Sequence, residues 1–274
     1  MVCFPNCKIN LGLNIIRKRP DGYHDIETLF YPIPLKDALE LIKLENESLE
    51  TEVNFSFSGL AIHGEVQDNL CVKAYHLLKK DFPNIPPILI HLHKLIPMGA
   101  GLGGGSADGA FSLQLLNQLC NLHLTQEILI KYALQLGSDC PFFILNKPCF
   151  ATGRGEYLEE MYVNLSTYQI VVVNPKIHIS TSLAFSQTIP TIPSRSIREI
   201  IQLPIHKWNG LLVNDFEKPI FHFFPQIAEI KKELYSQGAL YSSLSGSGSS
   251  VFGLFEKSKQ PQFSFDPSIQ IFHV

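Results

Sequence analysis

Apolar and polar residues alternate over much of the chain with the two-residue period of half-buried β-strands. Between Cys7 and Arg17 every second residue is apolar, which places Lys8 and Asn10 together on the other face of the predicted strand. The turn-forming residues Pro20-Asp21-Gly22 follow it. Similar alternation, or a short continuous apolar run, predicts further strands at 39–44, 53–57, 88–92, 168–173, 239–244 and 251–255.

Apolar residues also recur at helical spacing and predict four amphipathic helices. Asp68, Ser106 and Thr125 are the predicted N-caps of the first three, and Gly137 and Gly238 end the third and the fourth. The residues predicted to face the core are Leu70, Ala74, Leu77 and Leu78 in the first helix, Leu113, Leu116 and Cys120 in the second, Leu129, Tyr132, Ala133 and Leu136 in the third, and Ile227, Ile230 and Leu234 in the fourth.

The pattern restarts after Pro148, which favours two domains at residues 1–150 and 151–274. Of the 274 residues, 45% are apolar and 17% charged, a composition that supports a sizeable core. The net charge of −3 argues against an extended nucleic-acid or membrane surface, and no segment has the roughly 18 consecutive apolar residues of a membrane span. The sequence therefore predicts no nucleic-acid and no membrane partner, and no obligate protein partner is evident in it.

Six cysteines are present, but none forms a C-x-x-C pair, so a zinc ribbon or a thioredoxin-like site is unsupported. Several lie among apolar residues, where a cysteine behaves as a small hydrophobe. We expect free thiols in a reducing cytoplasm. The first residues lack the basic segment and long apolar run of a signal peptide, in agreement with that location.

Five glycines occupy seven consecutive positions from Gly99 to Gly105, between a predicted strand and a predicted helix. Such a loop directs backbone N–H groups at one point, and the helix N-terminus adds a positive partial charge there. Since glycine has no side chain, an anion can approach this backbone closely. The run therefore predicts a phosphate-binding site.

Two other phosphate-binding patterns and a flexible linker are the alternatives. A Walker A loop needs a lysine after its last glycine, whereas Ser106 follows Gly105. Gly99, Gly101 and Gly104 satisfy a dinucleotide fingerprint literally, but that pattern also needs an acidic residue on a second strand about 20 residues later, where the sequence predicts a helix. A flexible linker is usually richer in polar residues and is seldom framed by a strand and a helix.

Three segments resemble the motifs of the GHMP kinases, a family named for galactokinase and the homoserine, mevalonate and phosphomevalonate kinases. Residues 97–107 resemble the ATP-binding motif, residues 5–11 the first motif and residues 243–248 the third. Within the family, residues 8–11, 19–24 and 137–141 are most similar to members that act on 4-diphosphocytidyl-2-C-methyl-D-erythritol. The resemblance implies an α+β fold of two domains, the N-terminal one like the second domain of ribosomal protein S five and the C-terminal one ferredoxin-like.

The resemblance also implies the reaction, which is ATP-dependent phosphorylation of the 2-hydroxyl of that small-molecule substrate in the non-mevalonate isoprenoid pathway. It implies roles for individual residues as well. Asp139 is implied as the general base, with Lys8 beside it. Mg²⁺ is implied as a second cofactor, without identified ligands. The residues implied to bind ATP are Pro97, Gly99, Gly101, Leu102, Gly103, Gly104, Gly105 and Ser106. The residues implied to bind the substrate are Asn10, Tyr23, His24 and Phe185, with Tyr23 and Phe185 sandwiching the cytosine and His24 bonding its edge.

Each residue also has an ordinary structural explanation on the sequence alone. Asp139 precedes a proline and suits a helix cap. Lys8 suits a solvated position on a strand, and Phe185, one of nineteen phenylalanines, suits a core. His91 and His93 share a strand face as paired metal ligands do, but no third ligand is suggested nearby, which favours half-exposed sheet histidines.

Three residues depart from the family pattern: Cys7 replaces the usual alanine before Lys8, Ser182 replaces a common proline, and Arg154 is the third. Arg154 occupies a position that is often apolar in the family, which suggests the hypothesis that it contacts the substrate phosphates. Arg154→Ala kinetics test that hypothesis, since an unchanged substrate KM would contradict it.

Two other functions stay open at this point. Another GHMP kinase, such as a mevalonate or homoserine kinase, has no use for the cytosine contacts implied for Tyr23, His24 and Phe185. A non-catalytic nucleotide-binding protein on the same scaffold has no need to keep both Lys8 and Asp139.

Overall fold

A computed structural model describes residues 1–44 and 52–274. The chain divides into two compact units, each assembled from separate stretches of sequence. The first unit comprises Met1–Cys7, Pro34–Met98 and Gly103–Asn146, and the second comprises Lys8–Ile33, Gly99–Leu102 and Lys147–Val274. The predicted sequence domains, 1–150 and 151–274, stay a prediction.

The described residues of the first unit form a four-stranded sheet and four α-helices. The strand order is β1-β4-β6-β5, in which β5 runs parallel to β6 and the other neighbours are antiparallel. The strands are β1 (Val2–Cys3), β4 (Ala38–Lys43), β5 (Val53–Gly59) and β6 (Ile88–Lys94). The helices are α1 (Leu70–Asp81), α2 (Gly104–Leu119), α3 (Gln126–Leu136) and α4 (Cys140–Leu145).

Alternating burial along β4 and β6 builds the core of this unit. Leu39 and Leu41 are fully buried, as are Ile88 and Ile90 on the neighbouring strand. The predicted strands at 39–44, 53–57 and 88–92 are thereby confirmed. The predicted core positions Ala74, Leu78, Leu113, Leu116, Leu129 and Ala133 are buried as well.

The start of α1 differs from the prediction. Asn69, not Asp68, is the N-cap, and its side chain accepts a hydrogen bond from the Cys71 N–H at 2.9 Å. Asp68 ends a preceding 3-10 turn, which leaves Asn69 in the extended conformation that a cap requires. The buried face of α1 includes Cys71, Ala74, Tyr75 and Leu78, whereas the predicted core residue Leu77 is half-buried.

The second unit contains two four-stranded sheets and four α-helices. The sheet orders are β2-β3-β7-β8 and β10-β11-β9-β12. The strands are β2 (Asn6–Lys18, which begins in the first unit), β3 (His24–Lys36), β7 (Cys149–Thr152), β8 (Tyr157–Glu160), β9 (Tyr168–Asn174), β10 (Tyr241–Leu244), β11 (Val251–Glu256) and β12 (Gln270–His273). The helices are α5 (Thr181–Ser186), α6 (Ile197–Ile200), α7 (Glu217–Phe223) and α8 (Pro225–Ser236).

The apolar residues that recur at helical spacing along α8 pack into the core of the second unit. Ile227, Ile230 and Leu234 lie on one face and join the buried cluster that includes Val171 of β9 and Val251 of β11. The predicted strands 168–173, 239–244 and 251–255 and the fourth predicted helix are confirmed. None of the helices in the described ranges combines the length and apolar character needed to cross a membrane.

Candidate active site

The glycine run connects β6 to α2 through alternating left-handed residues. Gly99, Gly101 and Gly103 have φ angles of 63°, 77° and 71°. Residues with a Cβ rarely adopt this region, so the shape of the loop requires glycine at these three positions. Pro97 and Leu102, also predicted to contact the nucleotide, lie in the same run, and Leu102 is fully buried.

A serine-glycine loop, residues 245–250 between β10 and β11, packs on residues 99–102. This part of the glycine run belongs to the second unit. The Ser245 hydroxyl donates to the Gly101 carbonyl at 2.9 Å, and the Ser250 N–H donates to the Ala100 carbonyl at 3.1 Å. A Cβ on Gly101 would lie only 1.9 Å from the Ser245 carbonyl oxygen. The segment that resembles the third family motif therefore packs directly on the glycine loop.

We expect Gly101→Ala to lower the free energy of unfolding by about 1–3 kcal/mol, because the variant combines a left-handed φ with a backbone clash. The matched variant is Gly105→Ala, since a Cβ there has no neighbour within 4 Å among the described residues and its φ is not left-handed. In a helix, alanine is more stable than glycine by roughly 1 kcal/mol. Urea unfolding of both variants tests this, and equal midpoints would contradict it.

Helix α2 begins earlier than predicted. Gly103 is the N-cap, so Gly104, Gly105 and Ser106 form the first turn, and Ser106 as N-cap is wrong. The physical reason is that a left-handed glycine can start the helix without a capping side chain. The Ala107 N–H donates to Gly103 at 2.9 Å, so the three preceding N–H groups have no acceptor within the helix. Together with the helix dipole they suit a phosphate group.

A buried ionic cluster lies behind this first turn. Lys94, at the end of β6 and 1% exposed, donates to a carboxylate oxygen of Asp37 and, at 2.7 Å, to Asp108 of α2. Asp37 also accepts the N–H groups of Leu95 and Ile96 at 2.6 and 2.8 Å. A Cβ on Gly104 would lie 3.1 Å from the Lys94 Nζ. The cluster thus joins β6 to α2 on either side of the glycine run.

Burial and charge set the protonation of this cluster. Burial raises the pKa of Asp108 to about 7, and the adjacent Lys94 only partly opposes it. Its Oδ1 atom is buried and has no hydrogen-bond partner in the described part of the chain, which favours the neutral acid. For Lys94, burial lowers the pKa, but the charges and hydrogen bonds of Asp108 and Asp37 outweigh this and raise it.

The raised pKa of Asp108 predicts that stability depends on pH near neutrality. The folded protein binds this proton more tightly than the unfolded chain, whose carboxyl has a pKa near 3.8, so acidification favours the folded state. The gain develops as the pH falls through about 7 and is complete near 4. Between pH 8 and 6 we expect it to be on the order of 1 kcal/mol. Urea unfolding of the wild type and Asp108→Asn measures it, and identical pH profiles would contradict it.

Lys8 is held in place on β2 and is 3% exposed, so the solvated-lysine alternative is wrong. Its Nζ donates to Asn10 Oδ1 at 2.5 Å and to the Gly101 carbonyl at 3.1 Å, and lies 5.2 Å from the centre of the Phe30 ring. Asn10 in turn donates to the Thr28 hydroxyl at 2.9 Å. The predicted shared face of Lys8 and Asn10 is confirmed, and the lysine contacts the glycine loop.

Asp139 occupies the residue before α4, with Pro141 in the first turn of that helix. Within the described ranges its side chain makes no capping hydrogen bond to the α4 backbone, so the structure does not support the simple capping alternative. Burial raises the pKa of the next residue, Cys140, to about 12, and the nearby Ser106 partly opposes this. Helices α2 and α4 are neighbours in the first unit, and Asp139 is the residue directly before α4.

The residues predicted to bind cytosine lie in the second unit, where Tyr23 contacts Arg154 and His24 stacks on Phe185. Tyr23, on the β2–β3 turn and 55% exposed, lies under the Arg154 guanidinium, with 4.7 Å between the guanidinium carbon and the ring centre. The His24 and Phe185 rings stack with 4.8 Å between centres and an interplanar angle of 15°. Phe185 is only partly buried, and its edge contacts Phe216. The sandwich of cytosine between Tyr23 and Phe185 stays a prediction.

The histidines of β6 have serine partners on β5. His91 contacts the Ser56 and Ser58 hydroxyls at 2.9 and 3.0 Å, and His93 contacts Ser58 at 2.9 Å. In residues 1–44 and 52–274, no three His, Cys, Asp or Glu side chains lie close enough together to hold a metal ion.

Several residues around the glycine loop were not identified from the sequence. Lys94 follows a predicted strand and Asp108 lies inside a predicted helix, positions that suggest surface charges. Asp37 is 57 residues from Lys94, and periodicity carries no signal for such a distant pair. Thr28 belongs to β3, which was not predicted at all.

Comparison with known proteins identifies the family. The family model described as "GHMP kinases N terminal domain" matches residues 69–147, and "GHMP kinases C terminal" matches residues 198–264. The chain is 57% identical over 255 residues to a 4-diphosphocytidyl-2-C-methyl-D-erythritol kinase from Bacteroides fragilis, covering 93% of this chain and 92% of that protein. A protein of the same name from Azobacteroides pseudotrichonymphae is 52% identical over 273 residues, covering 99% and 100% of the two chains.

Solved structures agree with these sequence matches. A crystal structure of 4-(cytidine 5'-diphospho)-2C-methyl-D-erythritol kinase superposes with a TM-score of 0.79 at 31% identity, covering 93% of this chain and 90% of that one. The mevalonate kinase of Methanococcus jannaschii superposes with a TM-score of 0.70 at 13% identity over 100% and 97% of the chains, so the fold is shared. The predicted two-domain α+β kinase fold is confirmed. The chain therefore belongs to the GHMP kinases and, within them, to the family of the 4-diphosphocytidyl-2-C-methyl-D-erythritol kinases.

Proposed function

We propose that this chain transfers the γ-phosphoryl group of ATP to the 2-hydroxyl of 4-diphosphocytidyl-2-C-methyl-D-erythritol, a step of the non-mevalonate route to isoprenoid precursors. The observation that carries the proposal is 57% identity to a kinase of that name over 93% of the chain. The Lys8–Asn10 pair and the left-handed glycine loop support it, because a phosphate-transfer enzyme needs both a fixed cation and a phosphate-binding loop.

The glycine loop and the first turn of α2 would hold the ATP phosphates. The N–H groups of Gly104, Gly105 and Ser106 lack acceptors within the helix, and the space beyond the Gly105 α-carbon is open. Fixed backbone dipoles of this kind stabilise charge without rearranging during the reaction. Pro97, Gly99, Gly101, Leu102 and Gly103 shape the loop that ends in this turn.

Asp139 is assigned as the general base and Lys8 as the group that stabilises charge on the transferring phosphoryl. A carboxylate can accept the proton of the acceptor hydroxyl, which makes the oxygen a better nucleophile toward the γ-phosphorus. The Lys8 ammonium is held by Asn10 and by the Gly101 carbonyl, so it cannot swing into solvent. Transition states of phosphoryl transfer carry negative charge on the non-bridging oxygens, which an ammonium stabilises.

For the acceptor we assign Asn10, Tyr23, His24 and Phe185 to the cytidine end. Tyr23 and Phe185 offer exposed or partly exposed aromatic rings, which stack well on a nucleobase. Burial and the nearby Lys18 lower the pKa of His24, so its ring is neutral at pH 7. A neutral imidazole has both a donor and an acceptor nitrogen for the edge of cytosine.

The residues present fit Mg²⁺ only when the ion binds together with the nucleotide. Mg²⁺ commonly takes one or two protein oxygens together with substrate phosphates and water. The Ser106 hydroxyl, in the first turn of α2, is a hard oxygen donor beside the amides assigned to the phosphates, and we assign the ion to it together with the nucleotide. When bound, it would neutralise charge between the β- and γ-phosphates.

A reducing location is part of the proposal. Cys3, Cys71, Cys120, Cys140 and Cys149 carry free thiols. Burial raises the pKa of Cys3, Cys140 and Cys149 to about 12, so these thiols are protonated and have no catalytic use at pH 7. We therefore place the enzyme in the cytoplasm.

A coupled ADP-release assay tests the proposed function. The purified chain is supplied with ATP and Mg²⁺, and with 4-diphosphocytidyl-2-C-methyl-D-erythritol, mevalonate or homoserine in parallel reactions. We expect ADP release with the cytidine substrate alone. Turnover of mevalonate or homoserine instead would identify a different kinase of the family, and ATP binding without turnover of any acceptor would support the non-catalytic alternative.

A further inference from the structure

Arg154 lies over the ring of Tyr23, and this contact joins two turns of the second unit. Tyr23 is on the turn between β2 and β3, and Arg154 is on the turn between β7 and β8. The guanidinium carbon is 4.7 Å from the centre of the ring, within the range of a cation–π interaction.

The turn that carries Arg154 is fixed to the strand that follows Tyr23. The Ile26 N–H donates to the Gly153 carbonyl at 2.7 Å, three residues after Tyr23 in β3. Gly153 and Gly155 both have left-handed φ angles, 68° and 107°, which fold the turn tightly. The position of the Arg154 backbone relative to Tyr23 is therefore set by main-chain hydrogen bonding.

Glu156 fixes the side chain of Arg154 in turn. Its carboxylate, 10% exposed, accepts the Arg154 backbone N–H and lies 3.4 Å from Nε. The Nε of the guanidinium thus contacts Glu156 while its central carbon lies over the tyrosine ring. The positive charge of Arg154 also acts on Asp21 of the β2–β3 turn, which pairs with Arg19, and Arg19 pairs in turn with Asp25 of β3.

We propose that Arg154 is a positioning residue for the nucleobase, acting through Tyr23. The inference rests on the proposed function, in which Tyr23 stacks on cytosine. An exposed tyrosine can rotate about two side-chain bonds, and the guanidinium restricts this rotation by covering one face of the ring. Base stacking is then confined to the opposite face, in an orientation that exists before the ligand binds.

This proposal differs from a direct contact between Arg154 and the substrate phosphates, and a double-mutant cycle separates the two. Arg154→Ala, Tyr23→Leu and the double variant are titrated calorimetrically with cytidine 5'-diphosphate, and the KM values for ATP and for the cytidine substrate are measured. We expect Arg154→Ala to weaken cytidine diphosphate binding about three- to fivefold, the size of an exposed cation–π contact, without changing the KM for ATP. In the Tyr23→Leu background the same substitution should have no further effect.

Arg198→Ala is the matched control. Arg198 lies 4.4 Å from the centre of the Phe150 ring and pairs with Glu159. Like Arg154, it therefore contacts one aromatic ring and one glutamate of the second unit, but it lies outside the assigned site. It should leave cytidine diphosphate binding unchanged. Arg154→Lys, which keeps the cation, should recover part of the lost affinity.

These measurements distinguish failure of the inference from failure of the proposed function. An equal loss of affinity in the wild-type and Tyr23→Leu backgrounds would overturn the inference in favour of direct phosphate contact, and no loss in either would overturn it outright. If cytidine diphosphate binds as expected but no ADP is released with the cytidine substrate, the proposed reaction fails and the inference stands. Failure of the wild type to bind cytidine diphosphate would overturn both.

Discussion

Asp139→Asn is expected to lower kcat by about 10²- to 10⁴-fold while ATP still binds. The substitution keeps the size of the side chain but removes its ability to accept a proton. In the described structure the Asp139 side chain does not cap α4, so asparagine should leave that helix start intact. The first-turn amides of α2, to which we assign the phosphates, are also unaffected. Initial rates of ADP release give kcat, and calorimetric titration with a non-hydrolysable ATP analogue gives the affinity.

Asp68→Asn is the control for this experiment. Asp68 is another aspartate shortly before a helix of the first unit, and its side chain forms an exposed pair with Lys73. The control should keep wild-type kcat. Full activity of Asp139→Asn would refute its role as the base, whereas loss of ATP affinity together with kcat would mean that the carboxylate serves chiefly in binding the nucleotide or its Mg²⁺.

Lys94→Met is expected to lower the free energy of unfolding by about 3–5 kcal/mol, the largest change in stability that we predict. Methionine fills nearly the same volume but leaves Asp37 and Asp108 without their shared cation. Both carboxylates are almost completely buried, so water cannot replace the lost partner. Because the cluster lies next to Gly104, the KM for ATP should rise in whatever fraction remains folded.

The control is Lys73→Met, since Lys73 pairs with Asp68 at the surface and such pairs contribute only about 0–1 kcal/mol. Urea unfolding curves measure both variants. Adding Asp108→Asn to Lys94→Met should restore part of the stability, because a buried carboxyl that must stay protonated is then replaced by an uncharged amide. If Lys94→Met costs no more than Lys73→Met, the buried cluster does not have the structural role assigned to it.

The sequence predicted those parts of the fold in which local pattern and tertiary burial agree. Helix α8 is an example, since Ile227, Ile230 and Leu234 repeat at helical spacing and all three are buried. Strand β3 is the opposite case. Pro32 and Pro34 lie inside it, and prolines normally indicate a loop or an edge, yet β3 pairs with β2 on one side and β7 on the other.

At the site, the sequence predicted which residues share a face of β2 but not that this face is buried. The alternation of β2 placed Lys8 and Asn10 on one face, and they are hydrogen-bonded to each other. It gave no sign that this face is buried, because the covering residues, such as Gly101 and Thr28, are remote in sequence. Ser106 as a cap failed for a local reason, because the choice between a serine cap and a left-handed glycine depends on φ angles that residue types alone leave open.

The hydrogen-bonded setting of Lys8 has a consequence for the thermodynamics of ligand binding. A lysine side chain carries about 2 kcal/mol of rotamer entropy when it moves freely. Here the contacts with Asn10 and the Gly101 carbonyl exist without any ligand, so that freedom is lost when the chain folds. In the proposed function the transferring phosphoryl group would meet an ammonium that is already immobile, so this side chain would add little to the entropic cost of complex formation.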